Sequence, residues 1–336
     1  MSHHGVRRRL DYVRKQLGVD DGPTMISPRR APVRPRVISC ETGEAVPLEE
    51  LVDPCAGHGH YPSVEVVGGP RSGKTTALAH LASLPNADRL MLVDDAWPAD
   101  LPLGVSGRLL VCTTRSPLNV CDLSYELAAW CDDDLIEYLL STHPDRCSSV
   151  MARFTADGSK GLLDGKPELV CIVAEQMAAH ESVSGIRIAL RRGIAERVRD
   201  EQTLKLARLY SAAALLGMQQ LAEERALEIK QLGVGDELFG PLSHRLVQLL
   251  LAADQAISTL KEGCEHPFPM RDLPRVLVEE VAQLAKGNPT VLRRLQELVD
   301  GGREYYAPMA ASILHFADER WRPNGDCRTY LSGAFF

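Results

Sequence analysis

The residues Gly68-Gly69-Pro70-Arg71-Ser72-Gly73-Lys74-Thr75 set three glycines, a lysine and a hydroxyl in the spacing GxxxxGK[ST]. Glycines so placed let successive backbone N–H groups turn inward on one point. A helix starting at the end of such a loop aims its positive end at the same point. A phosphate suits that concavity. Lys74 is placed to meet the β- and γ-phosphates of a nucleoside triphosphate, and the Thr75 hydroxyl to take one Mg²⁺ position. Thr76 closes the stretch, so backbone and side-chain contact with the phosphates is expected from Gly68 through Thr76. The flanks agree with this reading. The apolar run Ser63–Val67 precedes the loop as a strand, and TTALAHLASL follows it as a helix.

Two further strand ends carry polar groups. Leu90-Met91-Leu92-Val93 runs into Asp94-Asp95. A buried strand ending in two acids suits a second Mg²⁺ anchor, because ligands of α/β sheets gather at strand C-termini. Asp94 would hold the metal's water shell, and Asp95 would sit as a base that orients an attacking water. Taken without the glycine-rich loop, the same residues are ordinary exposed acids at a strand end. Leu109-Leu110-Val111-Cys112 runs into Thr113-Thr114-Arg115. Here Thr114 and Arg115 could sense a γ-phosphate; the plainer alternative is a polar strand end.

Phosphate loop, Asp-Asp strand and Thr-Thr-Arg strand together resemble the STAND class of signal-transducing P-loop ATPases, which includes the NB-ARC and NACHT modules. That class continues with a short strand of the form xYxLxxL/W, an acidic helix and a GxP turn. The counterparts here are Ser124-Tyr125-Glu126-Leu127-Ala128-Ala129-Trp130, a helix at Asp132–Leu140, and Gly165-Lys166-Pro167. The resemblance covers about residues 62–180. It implies ATP and Mg²⁺ as ligands, with Lys74, Asp94, Asp95 and Arg115 as catalytic residues and Pro167 against the adenine. The chain departs from the class in one respect. Only twenty positions separate Lys74 from Asp94, where the class inserts a further strand and helix, so the core is expected to be minimal and hydrolysis slow or lost.

These residues need a scaffold. Strands alternating with helical or loop segments from Ser63 to Arg115 imply a small parallel sheet covered on its faces. Beyond residue 130 the pattern is helical. Leu246, Leu249, Leu250, Ala253, Ile257 and Leu260 recur at i, i+3, i+4, i+7, and Leu206, Leu209, Ala213 and Leu216 form a similar stripe. Breaks fall near Gly233-Val234-Gly235 and Pro267–Pro269, and Gly287-Asn288-Pro289 reads as the end of one helix and the start of the next. Residues 6–17 could form a short basic helix, and prolines 23, 28, 32 and 35 make 18–37 a linker. A short helix is expected at Leu48–Val52. The expected fold is therefore α/β, a small parallel-sheet P-loop core at 61–130 followed by an all-helical region at 131–336. A basic, partly disordered arm at 1–60 precedes them. The last residues, 331–336, resemble one coil of a pentapeptide repeat.

The remaining features bound the function. The net charge of −7 divides into +6 over residues 1–36 (nine Lys/Arg, three Asp) and hence −13 over the rest. The arm could touch nucleic acid or an acidic partner; the expectation is a solubilising tail. Nine scattered cysteines fit reduced thiols of a cytoplasmic protein. No run of 18 apolar residues suggests a membrane span. Cys55-Ala56-Gly57-His58-Gly59-His60 has metal-ligand residue types but no second pair at zinc spacing, which favours a polar loop. Trp130 and Trp321 are read as core or interface anchors. The expected function is an ATP-dependent switch with weak ATPase activity, a protein partner reached through the helical region, and an oligomer left open. Two alternatives stand beside it: a pseudo-ATPase adaptor, and a small-molecule kinase for which Arg191-Arg192 are the interior candidates. No Asn-Lys-x-Asp guanine reader occurs, so ATP is expected over GTP. If the arm is only a solubilising tail, the protein should show no salt-sensitive binding to DNA or RNA in an anisotropy titration. Affinity falling linearly with log salt would contradict that.

Overall fold

The structure is a computed structural model and describes residues 26–52, 62–69, 71–97, 101, 108–158, 160–198, 200–233, 236–264, 273–301, 305–318, 321–322, 331 and 333–335. Contacts divide it into two units. One holds the chain through Cys147 together with Gly165–Glu168; the other holds Ser148–Asp164 and Leu169–Phe336.

The first unit is built on a six-stranded sheet. Its strands are β1 (Arg36–Ser39), β2 (Ala45–Pro47), β3 (Val64–Val67), β4 (Leu90–Val93), β5 (Leu109–Thr114) and β6 (Leu123–Leu127), in the order β2-β1-β6-β3-β5-β4. Strands β3 to β6 run parallel. β3 and β5 are buried at every position, as parallel strands covered on both faces must be, and this explains their continuous apolar runs. Because the four strands are parallel, the segments that follow them leave the same edge of the sheet.

Helix α1 (Lys74–Ala82) packs Ala77, Leu78 and Leu81 against Val64, Val66, Leu90, Leu109 and Val111 on one face. On the other face Ala96, Leu101, Leu110 and Cys112 form a smaller cluster with Leu118 and Cys121. Helix α2 (Asp132–Thr142) carries Asp132, Asp133 and Asp134 in its first turn, where the helix dipole favours negative charge. Between Lys74 and Asp94 the chain forms α1, one 3₁₀ turn at Ala87–Arg89 and β4, with no further strand.

Two boundaries differ from the sequence expectation. The sheet is mixed rather than wholly parallel, because β1 pairs antiparallel with both β2 and β6. Residues 36–47 therefore belong to the sheet and not to an arm. Gly43, at φ 72°, allows the tight turn between the two strands, and its N–H donates to Ser39 O at 2.9 Å. Arg36, counted as arm charge, donates to Asp134 and to Cys131. The expected end of the core at 130 also moves, since α2 belongs to the first unit. The expected helix at Leu48–Val52 is a 3₁₀ turn at Leu48–Leu51.

The second unit is helical. It comprises most of α3 (Cys147–Ala156) and α4 (Pro167–Ala179), then α5 (Ile186–Arg197), α6 (Glu201–Leu215), α7 (Gln219–Gln231), α8 (Asp236–Leu242), α9 (Arg245–Lys261), α10 (Arg275–Ala285), α11 (Pro289–Asp300) and α12 (Ala307–Ala317). Apolar faces of α9 to α12 form its largest core, which Leu331 joins. Asn288 accepts from Val291 N–H at 3.3 Å and caps α11, with Pro289 in the first turn. Arg153 donates to the carbonyls of Met177, His180 and Val183 at 2.6–3.0 Å and closes the end of α4. Among the described residues no helix is long and apolar enough to cross a membrane. The expected basic helix at 6–17, the Cys55–His60 stretch and Pro267–Pro269 lie outside the described residues. So do residues 332 and 336 of the expected repeat coil.

Gly193 marks a close crossing of α5 with α4. A Cβ there would stand 2.4 Å from Ile172 Cγ2 and 3.2 Å from Gln176 Cγ. Gly193→Ala should therefore destabilise the helical unit by about 1–3 kcal/mol through overpacking. In combination with Ile172→Ala, the loss in urea unfolding should be less than the sum of the losses in the two single variants, whereas an unaffected midpoint in Gly193→Ala would contradict the crossing.

Candidate functional site

The glycine-rich loop begins where β3 ends. Gly68 N–H donates to Thr114 O at 3.0 Å, which fastens the first residue of the loop to the neighbouring strand. A Cβ on Gly68 would meet Ser72 Oγ at 2.4 Å, so any larger residue would displace the Ser72 hydroxyl from its place against the loop. Gly73, at φ 98°, takes the left-handed conformation that opens α1, and Ala77 N–H donates to Gly73 O at 2.9 Å. Arg71, at φ 62°, is left-handed as well. The Ser72 hydroxyl is buried without a protein partner. Pro70 lies outside the described residues.

Lys74 crosses the loop. Its Nζ donates to Gly68 O at 2.9 Å and Gly69 O at 3.1 Å and lies 3.6 Å from Asp95 Oδ1. Thr75 donates its hydroxyl to Asp94 Oδ2 at 2.6 Å, and Thr113 donates to Asp94 Oδ1 at 2.5 Å. One carboxylate thus joins the first turn of α1, the end of β4 and the end of β5. Thr76 follows in the same turn of α1 and is exposed.

Asp95 stands in the left-handed region at φ 47°. Its N–H donates to Asp94 Oδ1 at 3.1 Å and to Thr113 Oγ1 at 3.0 Å, contacts that hold the bend. The bend swings the Asp95 carboxylate between two cations, with Arg115 donating to Oδ2 at 2.8 Å from the side opposite Lys74. Partial burial alone would raise this carboxyl. The Arg115 hydrogen bond and the charges of Lys74 and Arg115 outweigh burial and hold it below the usual carboxylate range. Arg115 itself is 70% exposed.

The turn at Gly165-Lys166-Pro167 meets the loop within the first unit. Pro167 Cγ lies 3.9 Å, and Leu127 Cδ2 3.8 Å, from where a Cβ on Gly73 would stand. Trp130 N–H donates to Gly165 O at 2.9 Å. Gly165 is required: its φ is 57°, and a Cβ there would stand 2.7 Å from Ala129 Cβ and 2.9 Å from Trp130 O.

Lys74, Thr75, Asp94, Asp95 and Arg115 are therefore brought together, with Pro167 beside the start of α1. Thr114 is not among them. Its buried hydroxyl donates to Glu65 at 3.0 Å, on the far side of the strand. Successive strand residues face opposite ways, and the hydroxyl that reaches the acids belongs to Thr113. Sequence reasoning also passed over Glu65, whose signal was one charge inside an otherwise apolar run. Arg191 is bound to Asp254 and Glu280, and Arg192 to Glu196, all in the helical unit. No protein-family model matches the chain, and no curated protein matches it.

The pairing of Asp95 has a measurable sign. A lowered carboxyl contributes stability that is complete at neutral pH and is lost only as pH falls through the depressed value. Arg115→Ala removes the hydrogen bond that leads this lowering and leaves burial in place. The Asp95 midpoint, followed by carboxyl NMR, should therefore move up; an unmoved midpoint would contradict the pairing.

Proposed function

We propose that this chain is a nucleotide-dependent switch of the STAND type, which binds ATP with Mg²⁺ at residues 68–76 and hydrolyses it slowly. The observation that carries the reading is the hydrogen bond from Thr75 to Asp94. It joins the loop helix to an acidic strand end beside a lysine laid across the glycine-rich loop. The residues fit the ligands. Backbone N–H groups of the loop, the unpartnered Ser72 hydroxyl and Lys74 suit phosphate oxygens. Thr75 would supply one oxygen to Mg²⁺ and Asp94 would hold its water shell, since this cation usually keeps several waters and takes further oxygens from substrate phosphates. Bound there, the cation would neutralise charge on the β- and γ-phosphates.

The chain's own residues would then divide the work. Lys74 would leave the carbonyls of Gly68 and Gly69 for the phosphates, and Arg115 would approach the γ-phosphate from Asp95. Asp95, ionised and held between cations, can accept a hydrogen bond from water and orient it. Its lowered proton affinity makes it a poor proton acceptor. Slow turnover follows. Pro167, packed beside Gly73, would border the base and begin α4, the helix that continues into the second unit's sequence.

A second reading, a nucleotide-binding adaptor without turnover, is favoured by that same engagement of Asp95 and by the single strand between Lys74 and Asp95. A kinase reading would need arginines able to close on an acceptor, whereas Arg191 and Arg192 are held by acids of their own unit. Protein contacts of the switch would be made by the helical unit, where Leu227 and Leu232 are exposed near the end of α7.

Two substitutions and a base comparison test the reading. Lys74→Ala should weaken ATP binding about tenfold to a hundredfold, the loss of a charge-assisted hydrogen bond. Asp95→Asn should keep binding while single-turnover hydrolysis falls by about tenfold, the loss of a charge-assisted hydrogen bond to the water. ATP should bind more tightly than GTP. Equal affinity for the two would remove the STAND assignment, and wild-type protein that binds ATP without any turnover would favour the adaptor.

A further inference from the structure

Glu65 is an acid at the centre of the sheet. It lies on β3, three residues before Gly68, and is 1% exposed. Val64 and Val66 pack toward α1, so Glu65 faces the opposite side of the sheet, where Cys112 and Leu118 lie. Its Oε1 accepts from Leu118 N–H at 2.7 Å and from the Thr114 hydroxyl at 3.0 Å; Oε2 accepts from the Ser124 hydroxyl at 3.4 Å. None of these donors is a cation. The acid satisfies the Leu118 N–H and the hydroxyls of Thr114 and Ser124, which an apolar side chain would leave without that acceptor. What the carboxylate does is geometric. Two of its three donors, Thr114 and Leu118, bracket Arg115 at the start of the β5–β6 connection. The same strand that opens the glycine-rich loop therefore grips the segment carrying Arg115 from both sides.

Building on the nucleotide-binding reading above, we infer that Glu65 is a positioning residue that fixes Arg115 for the γ-phosphate and so sets the preference for triphosphate over diphosphate. Arg115 has a 70% exposed side chain on a connecting segment, and its reach depends on where its backbone is anchored. Thr114 and Leu118 supply that anchor. Glu65 ties them to β3, in register with the loop that would hold the phosphates.

The test uses full-length protein, titrated with ADP and with a non-hydrolysable ATP analogue, each with Mg²⁺, after melting has shown that every variant folds. Wild type should prefer the triphosphate. Glu65→Leu should lose that preference by about tenfold or more, as Arg115→Ala should, while ADP affinity holds. The double variant should be no worse than Arg115→Ala alone, because both changes remove one interaction. Glu65→Gln should retain most of the preference, since its amide oxygen can still accept from Leu118 N–H and Thr114. If Glu65→Leu does not fold, Thr114→Val carries the test, with a smaller loss in the same direction that again vanishes in the Arg115→Ala background. A wild-type preference surviving in Glu65→Leu or Thr114→Val, or effects that add to those of Arg115→Ala, overturns the inference. Equal binding of the two nucleotides by wild type overturns it too. Wild type that binds neither nucleotide overturns the functional reading itself, and is seen before any variant is measured.

Discussion

The carboxylate of Asp94 is the point on which the candidate site hangs. It takes hydrogen bonds from Thr75 on α1, from Thr113 on β5 and from the N–H of Asp95. That convergence depends on strand order. β5 lies between β3 and β4, and the parallel registers Val67 with Thr114 and Val93 with Cys112 bring the three strand ends level. Slide either pairing by one residue and the hydroxyl of Thr113 would face the other side of the sheet. The left-handed bend at Asp95 follows from the same contacts, and through it the approach of Lys74 and Arg115.

Two electrostatic demands compete at this corner. A carboxylate between Lys74 and Arg115 is well placed and is held in its charged form at neutral pH, which suits orienting a polar ligand. The same cations depress its proton affinity, which suits proton transfer poorly. The geometry favours position over basicity at this carboxylate. On the other face of the sheet Glu65 is a buried acid that accepts from three neutral donors.

Legibility from sequence tracked how tightly chemistry constrains spacing. The order of strand, glycine-rich loop and helix and the acidic strand end at Asp94-Asp95 could be read because residue types and spacing mark them; Gly165-Lys166-Pro167 was singled out through the resemblance alone, and its place beside Gly73 comes from the fold. The edge strands β1 and β2 could not. They are three or four residues long, lie among prolines and arginines, and depend on distant partners such as Asp134. Thr113 and Thr114 are equivalent as sequence; which one meets Asp94 depends on the parity of β5 against its neighbours. Of the stripe Leu206, Leu209, Ala213 and Leu216, α6 buries Ala213, and its other buried positions are Thr203, Ala207 and Ser211. Small residues there let α6 approach α9, its principal neighbour. The Arg187–Glu280–Arg191–Asp254 network was hidden for the opposite reason, because charges on amphipathic helices read as solvent-facing until three helices enclose them.

The most direct test of the central claim is calorimetric titration of the full-length protein with ATP, in the presence and absence of Mg²⁺. If Thr75 and Asp94 form a cation site at the edge of a phosphate loop, ATP binds in a 1:1 ratio and Mg²⁺ tightens it. Replacing Asp94 by Asn then removes most of the Mg²⁺ effect while leaving metal-free binding largely intact. No ATP binding, or binding indifferent to both Mg²⁺ and Asp94, would contradict the account.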